Sequence, residues 1–260
     1  MQHKYMKKFN FILFLLFISN MALFAQGTAG ESAVYETQFI VDMPTAGLIP
    51  KSTFRASTVM SPPGNMNIFF EASPFNNFSM GLSYGGNNII GSGDVDWQDL
   101  PGIHLKFRIV DETLEIPAIA LGIITQGRGS YYKEFERSQI YSPGVFGAVS
   151  KSFKWWLGNS ALHGGICYSF EPKPEIRNVN FYFGFEQTIG QVVSISMEFN
   201  PNMEDGADQV MDKKGMLNAG IRLSLVSGLT LELQGRDLFS HMRGSNGFSR
   251  SLGIEFISSF

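Results

Sequence analysis

Apolar and polar residues alternate one for one along most of the chain beyond residue 50. Ile103, Leu105, Phe107 and Ile109 interleave with His104, Lys106 and Arg108, so one side of that segment is apolar and the other basic. Phe181, Phe183 and Phe185 interleave with Tyr182, Gly184 and Glu186, and Val193 to Phe199 alternate with Ser194, Ser196 and Glu198. Leu217, Ala219, Ile221, Leu223 and Leu225 alternate with Asn218, Gly220, Arg222 and Ser224, as Leu229, Leu231 and Leu233 do with Thr230, Glu232 and Gln234. A period of two over such lengths is that of amphipathic strands. Strands are predicted near 52–61, 66–74, 78–86, 102–110, 117–126, 143–155, 160–171, 179–188, 191–200, 215–227, 229–239 and 249–260, about twelve and thus an even number. Phe54, Phe69 and Glu71 blur the alternation in the first three of these.

The connections alternate as well. Tight links at 73–77, 111–116, 156–159, 189–190 and 227–228 are separated by longer ones near 87–101, 127–142, 172–178, 201–214 and 240–248, rich in Gly, Asp or Ser. Only Pro62 to Asn65 departs, as a short link among the long ones. Short turns at one end and long loops at the other are the pattern of a bacterial outer-membrane barrel, and a soluble sandwich has no reason to keep it.

In hydrocarbon each unpaired backbone group costs several kcal/mol, so strands cross a bilayer only in a sheet closed on itself. Strands of roughly 9 to 11 residues suffice. The sequence therefore predicts an all-β fold, an antiparallel transmembrane β-barrel of about 12 strands over residues 52–260. Its apolar face then meets lipid. His104, Lys106, Arg108, Glu186, Glu198, Arg222, Glu232, Arg236 and Glu255 are predicted to face the lumen, where both signs of charge favour a ladder of ion pairs. Aromatics near strand ends, among them Phe78, Tyr84, Trp155, Trp156, Tyr168, Phe170, Phe239 and Phe260, suit girdles at the two membrane interfaces.

Composition agrees. The chain has 260 residues, 44% of them hydrophobic and 17% charged, which excludes a disordered chain. Its 24 Phe and 28 Gly favour strands and turns. Lys4, Lys7 and Lys8 precede the apolar run Phe11 to Ile18, and Leu23-Phe24-Ala25 ends it, which predicts a signal peptide over residues 1–25. Its loss removes three lysines and no carboxylate, taking the net charge from −3 to −6, so nucleic acid is not an expected partner. Residues 26–51, rich in Thr, Ala, Pro and Gly, form a segment that is periplasmic, plugs the lumen or adds a strand. Cys167 is the only cysteine, and His104, His163 and His241 are isolated, so neither a disulfide, a metal site nor another cofactor is expected.

The last strand ends in Phe260, with Phe256, Ile254 and Leu252 at alternate positions, and resembles the C-terminal signal read by the bacterial barrel-assembly machinery; Ser258 departs from it. Met80 to Gly91, with Pro101 to Ile109 and Pro117 to Gly122, resembles the YjbH-like group of outer-membrane β-barrels, and the similarity runs from about Pro44-Thr45-Ala46-Gly47 to the end. The resemblance implies one barrel unit in the outer membrane of a Gram-negative-type bacterium, with outer-membrane lipid as its surroundings. It also implies a link to exopolysaccharide, with polysaccharide as a partner.

Three further constellations carry weaker expectations. Asp94, Asp96 and Asp99 cluster in the first long loop without the spacing of a calcium loop, and read as a solvated turn. Ser240, His241 and Ser245 invite the reading of a lipid-modifying barrel enzyme, which needs a base within hydrogen-bond reach of the nucleophile; no enzyme is expected on linear spacing alone. Tyr131, Tyr132 and Phe135 would be exposed anchors if the outer loops formed a binding or adhesion module. The leading expectation is a channel, export component or structural barrel of the cell envelope.

Overall fold

The computed structural model describes residues 27–171, 177–204, 210–243 and 247–260. The signal-peptide reading of residues 1–25 and the candidate Ser245 lie outside them. The strands are β1 (Thr53–Ser61), β2 (Asn65–Phe75), β3 (Phe78–Asn87), β4 (Asp96–Trp97), β5 (Gly102–Val110), β6 (Ala118–Ile124), β7 (Arg128–Tyr132), β8 (Arg137–Ile140), β9 (Gly144–Trp155), β10 (Gly158–Tyr168), β11 (Asn180–Ile189), β12 (Val193–Asn200), β13 (Met216–Val226), β14 (Leu229–Arg236) and β15 (Ser249–Ser259).

Twelve of these close into an antiparallel ring, β1-β2-β3-β5-β6-β9-β10-β11-β12-β13-β14-β15 and back to β1. Closure is made by Thr53 to Met60 against Ser259 to Leu252, and the Phe260 N–H donates to the Ser52 carbonyl at 2.9 Å. No strand of the ring is left with an open edge, as a sheet in hydrocarbon requires. The short β4 extends the loop end of β3, and β7 pairs with β8 as a hairpin inside the connection from β6 to β9.

The pleat sorts the side chains. Phe183 is 58% exposed and Ile221 51%, both on the outside, with Ile68, Phe70, Leu82, Phe107, Leu121, Leu162 and Leu233 around the same belt. Two stacked sheets would have buried them. The alternate positions are buried and mainly polar: Arg55, Asn67, Glu71, His104, Lys106, Ser194, Ser196, Glu198, Asn218, Arg222 and Gln234. Phe69 breaks the rule by pointing inward at 2% exposure, which accounts for the blurred alternation in β2.

A barrel of about eight strands is filled by its own side chains, whereas 16 or more leave a water channel. Twelve strands enclose more than their side chains fill. Residues Gly27 to Pro50 occupy the surplus: Gln38 to Ile49 are buried without interruption, as are Gly27 to Gly30.

Candidate functional site: the plugged lumen

The segment Gly27–Pro50 enters as a hairpin. Glu31 and Ser32 donate their N–H groups to the carbonyls of Gly190 and Gln191 at the β11–β12 turn, so this stretch lies at the turn end of the barrel. The chain then climbs, reverses where the Ile40 N–H meets the Met43 carbonyl at 2.8 Å, and descends to β1. Its tip is clamped from both sides. Glu198, fully buried on β12, takes the N–H groups of Val41, Asp42 and Met43 on one oxygen at 3.0, 2.9 and 2.8 Å. Three successive amides around one carboxylate oxygen form an anion nest. In return the Asp42 carboxylate receives Arg236 from β14 at 2.7 to 3.0 Å and Asn218 from β13 at 3.2 Å.

The other predicted lumen residues serve the same hairpin. Arg222 donates to the carbonyls of Phe39 and Ile40, the latter at 2.5 Å, and pairs with Glu186 at 3.2 Å and Glu232 at 3.3 Å. Lys106 reaches the carbonyls of Gln38 and Gly47 at 3.3 and 3.0 Å. Arg108 binds the Ala46 carbonyl through two nitrogens at 3.1 and 2.9 Å and pairs with Glu36. Glu255 accepts Thr28 at 2.7 Å and Arg55 at 2.6 Å, and Arg55 continues to Glu71 at 3.5 Å. His104 instead contacts Ser83 at 2.9 Å, edge-on to Phe69. All nine residues lie on the inner face, and eight of them touch the hairpin or a group that does.

One sector of the wall is apolar. Ala118, Ala120, Phe146, Ala148, Cys167 and Tyr182 form a buried cluster with Ile40 and Met43 of the hairpin. Gly184 is required here, since a Cβ on it would lie 2.6 Å from Ile40 carbons, and the Tyr182 hydroxyl donates to the Pro44 carbonyl at 2.8 Å. Wall chemistry thus follows the hairpin: small and greasy where its side chains lean, ionic where its backbone is bare.

No family model matches the chain, and no curated protein matches it. Among solved structures it is similar to the NanC porin in a rhombohedral crystal form, at 9% sequence identity over 80% of this chain and 99% of that one, with a TM-score of 0.43.

Above the hairpin, the β7–β8 connection folds over the loop end. Arg128 places its guanidinium between two rings, 4.5 Å from the Phe39 centroid of the plug and 4.3 Å from Phe69 of the wall. Asn87 holds Tyr131 by two backbone contacts at 2.7 and 3.0 Å, and Glu171 accepts the Ser138 N–H and hydroxyl at 3.1 and 3.2 Å. This corrects the picture of an open loop with three exposed aromatic anchors: Tyr131 and Tyr132 are half-buried and only Phe135 is exposed. Hairpin pairing draws the aromatics down onto the barrel mouth.

The remaining candidates separate. Asp96 pairs with Lys133 at 2.5 Å, and among the described residues no group of three or more His, Cys, Asp or Glu is placed to hold a metal. His241 Nδ1 lies 2.7 Å from the Gly215 carbonyl, which makes that nitrogen a donor. Phe256 and Phe260 stand exposed on and just beyond the closing strand. Sequence reasoning missed Phe39, Asp42, Arg55, Phe69, Glu71 and Arg128. Arg55 and Glu71 shared the parity of their strands' polar positions, so that signal was present; nothing linear marked Asp42 or Arg128.

Proposed function

We propose that the protein is an outer-membrane channel closed at rest by its own N-terminal hairpin, with the turn end toward the periplasm. One observation carries this reading: Lys106, Arg108, Glu198 and Arg222 of the wall hold bare backbone groups of Gly27–Pro50, and Arg236 holds its Asp42 carboxylate. This wall is ionic along most of its height and becomes a hydrated conduit once the hairpin leaves, because its charges can exchange backbone carbonyls for water. Polar contacts dominate the clamp, and such contacts lose little net free energy when water replaces them.

The exposed apolar belt and the edgeless ring support the membrane setting. The test is planar-bilayer conductance of the mature chain beside D42A/E198A and a deletion of residues 27–50. The intact protein is expected to be silent or to open rarely, the double variant to flicker, and the deletion to conduct steadily. Steady current from the intact chain, or none from a deletion that still folds, contradicts the proposal.

A further inference from the structure

Arg128 joins the plug to the wall, yet its own charge is unmatched. Its two faces lie against Phe39 and Phe69, which leaves the N–H groups on the rim of the guanidinium to find partners in the plane between the rings. Among the described residues they find none: Arg128 forms no ion pair and no hydrogen bond, although it is only 5% exposed. Its nitrogens are not sealed into the packing. They keep accessible surface, and Arg128 lines a cavity of about 40 Å³ between plug and wall. A buried charge is ordinarily paired, because an unmatched one is expensive in a low-dielectric interior, and stacking on two rings offsets only part of that cost.

The charges around the cavity define what is missing. Arg55, Arg128, Arg222, Glu232 and Glu255 are the ionisable side chains that line it. Arg55 holds Glu255 at 2.6 Å and Arg222 holds Glu232 at 3.3 Å, so the lining carries one positive charge in excess, on Arg128. The second carboxylate of each set, Glu71 on Arg55 and Glu186 on Arg222, lies outside the lining, and Asp42 is held by Arg236. Lys106, 5.8 Å from the same Phe39 ring, adds to the positive field, because its hydrogen bonds go to neutral oxygens of Gln38 and Gly47. The space is roughly three times what one water requires, enough for a halide and too small for a sugar or a nucleotide. We infer that this cavity holds one small monovalent anion, a chloride by size, bound through the in-plane N–H groups of Arg128 as the counter-ion that this residue lacks. Glu232 and Glu255 disfavour a divalent oxyanion by repulsion, and a neutral water leaves the excess charge in place.

Occupancy is read without current, so this inference and the channel reading fail separately. The experiment uses the mature full-length chain folded in detergent, its fold and that of each variant verified by heat-dependent gel mobility. The line width of the chloride NMR signal is titrated with NaCl against sodium gluconate at constant ionic strength, which separates a filled site from screening. Saturable broadening is expected, reversed by bromide and at least tenfold less sensitive to sulfate. R128Q removes the charge, and S57L fills the cavity from β1 while giving up no hydrogen bond, since the Ser57 hydroxyl has no partner among the described residues. Each is expected to weaken chloride binding at least tenfold. Broadening that never saturates in the parent means that the cavity holds water only, and overturns the inference. Saturable binding that either variant retains means an adventitious ion only, and overturns it equally, as does sulfate displacing chloride as well as bromide does.

Discussion

At the residue scale the protein is organised around a few buried charges whose partners are backbone groups. Glu198 is the extreme case, with three N–H groups on one oxygen and Asn218 on the other at 2.9 Å. Truncating it leaves several buried donors without an acceptor, each costing about 1–3 kcal/mol. E198A is therefore expected to lower unfolding free energy by about 3 kcal/mol or more in urea titrations of detergent-folded protein, whereas E198Q, which keeps one acceptor oxygen, is expected to lose less than half as much. Arg222 joins two carboxylates and two plug carbonyls; removing one member of a buried ionic set typically costs about 3–5 kcal/mol, and R222M is expected to fall in that range by the same measurement. Gly184 tests the fit directly. G184V places a side chain where Ile40 sits, and is expected to expose residues 27–50 to added protease while the barrel itself stays resistant.

At the element scale, strands, turns and loop lengths were legible because each barrel strand is half in lipid and half in the lumen, and a two-sided environment writes a period of two. The strands predicted at 102–110 and 249–260 are found at Gly102–Val110 and Ser249–Ser259. The plug carries no such period, since Gln38 to Ile49 are enclosed on all sides, Ile40 and Met43 packing on the apolar sector while Asp42 between them meets Arg236 and Asn218. Nor does the sequence mark Arg128 as the pin between Phe39 and Phe69, because that contact joins three distant stretches of chain. The β7–β8 cap carries its own pH signature. Burial pushes the Glu171 carboxyl up to about 7 from an ordinary 4.5, opposed by the Ser138 and Ser142 hydrogen bonds and by Arg137. A raised carboxyl favours the folded cap while protonated, so that contribution is complete below about pH 4.5 and declines as pH climbs to about 7. Amide protection of residues 128–142, taken relative to the intrinsic exchange rate at each pH, is expected to fall across that window and then level off, and E171Q to remove the fall.

For the whole molecule, the surfaces are inverted relative to a soluble domain. The broad apolar face is outside, the ionic face is inside, and a length of the chain's own backbone completes the interior. Each feature requires the others: the belt calls for a bilayer, the bilayer for a closed ring, and a ring of twelve strands leaves room that Gly27–Pro50 fills. The direct measurement is tryptophan quenching by lipids brominated along their acyl chains. Single tryptophans are placed at Phe183, Ile221 and Phe69 in a background where Trp97, Trp155 and Trp156 are phenylalanine. Residues 183 and 221 are expected to be strongly quenched and residue 69 to be untouched; quenching at 69 together with silence at 183 and 221 contradicts the account.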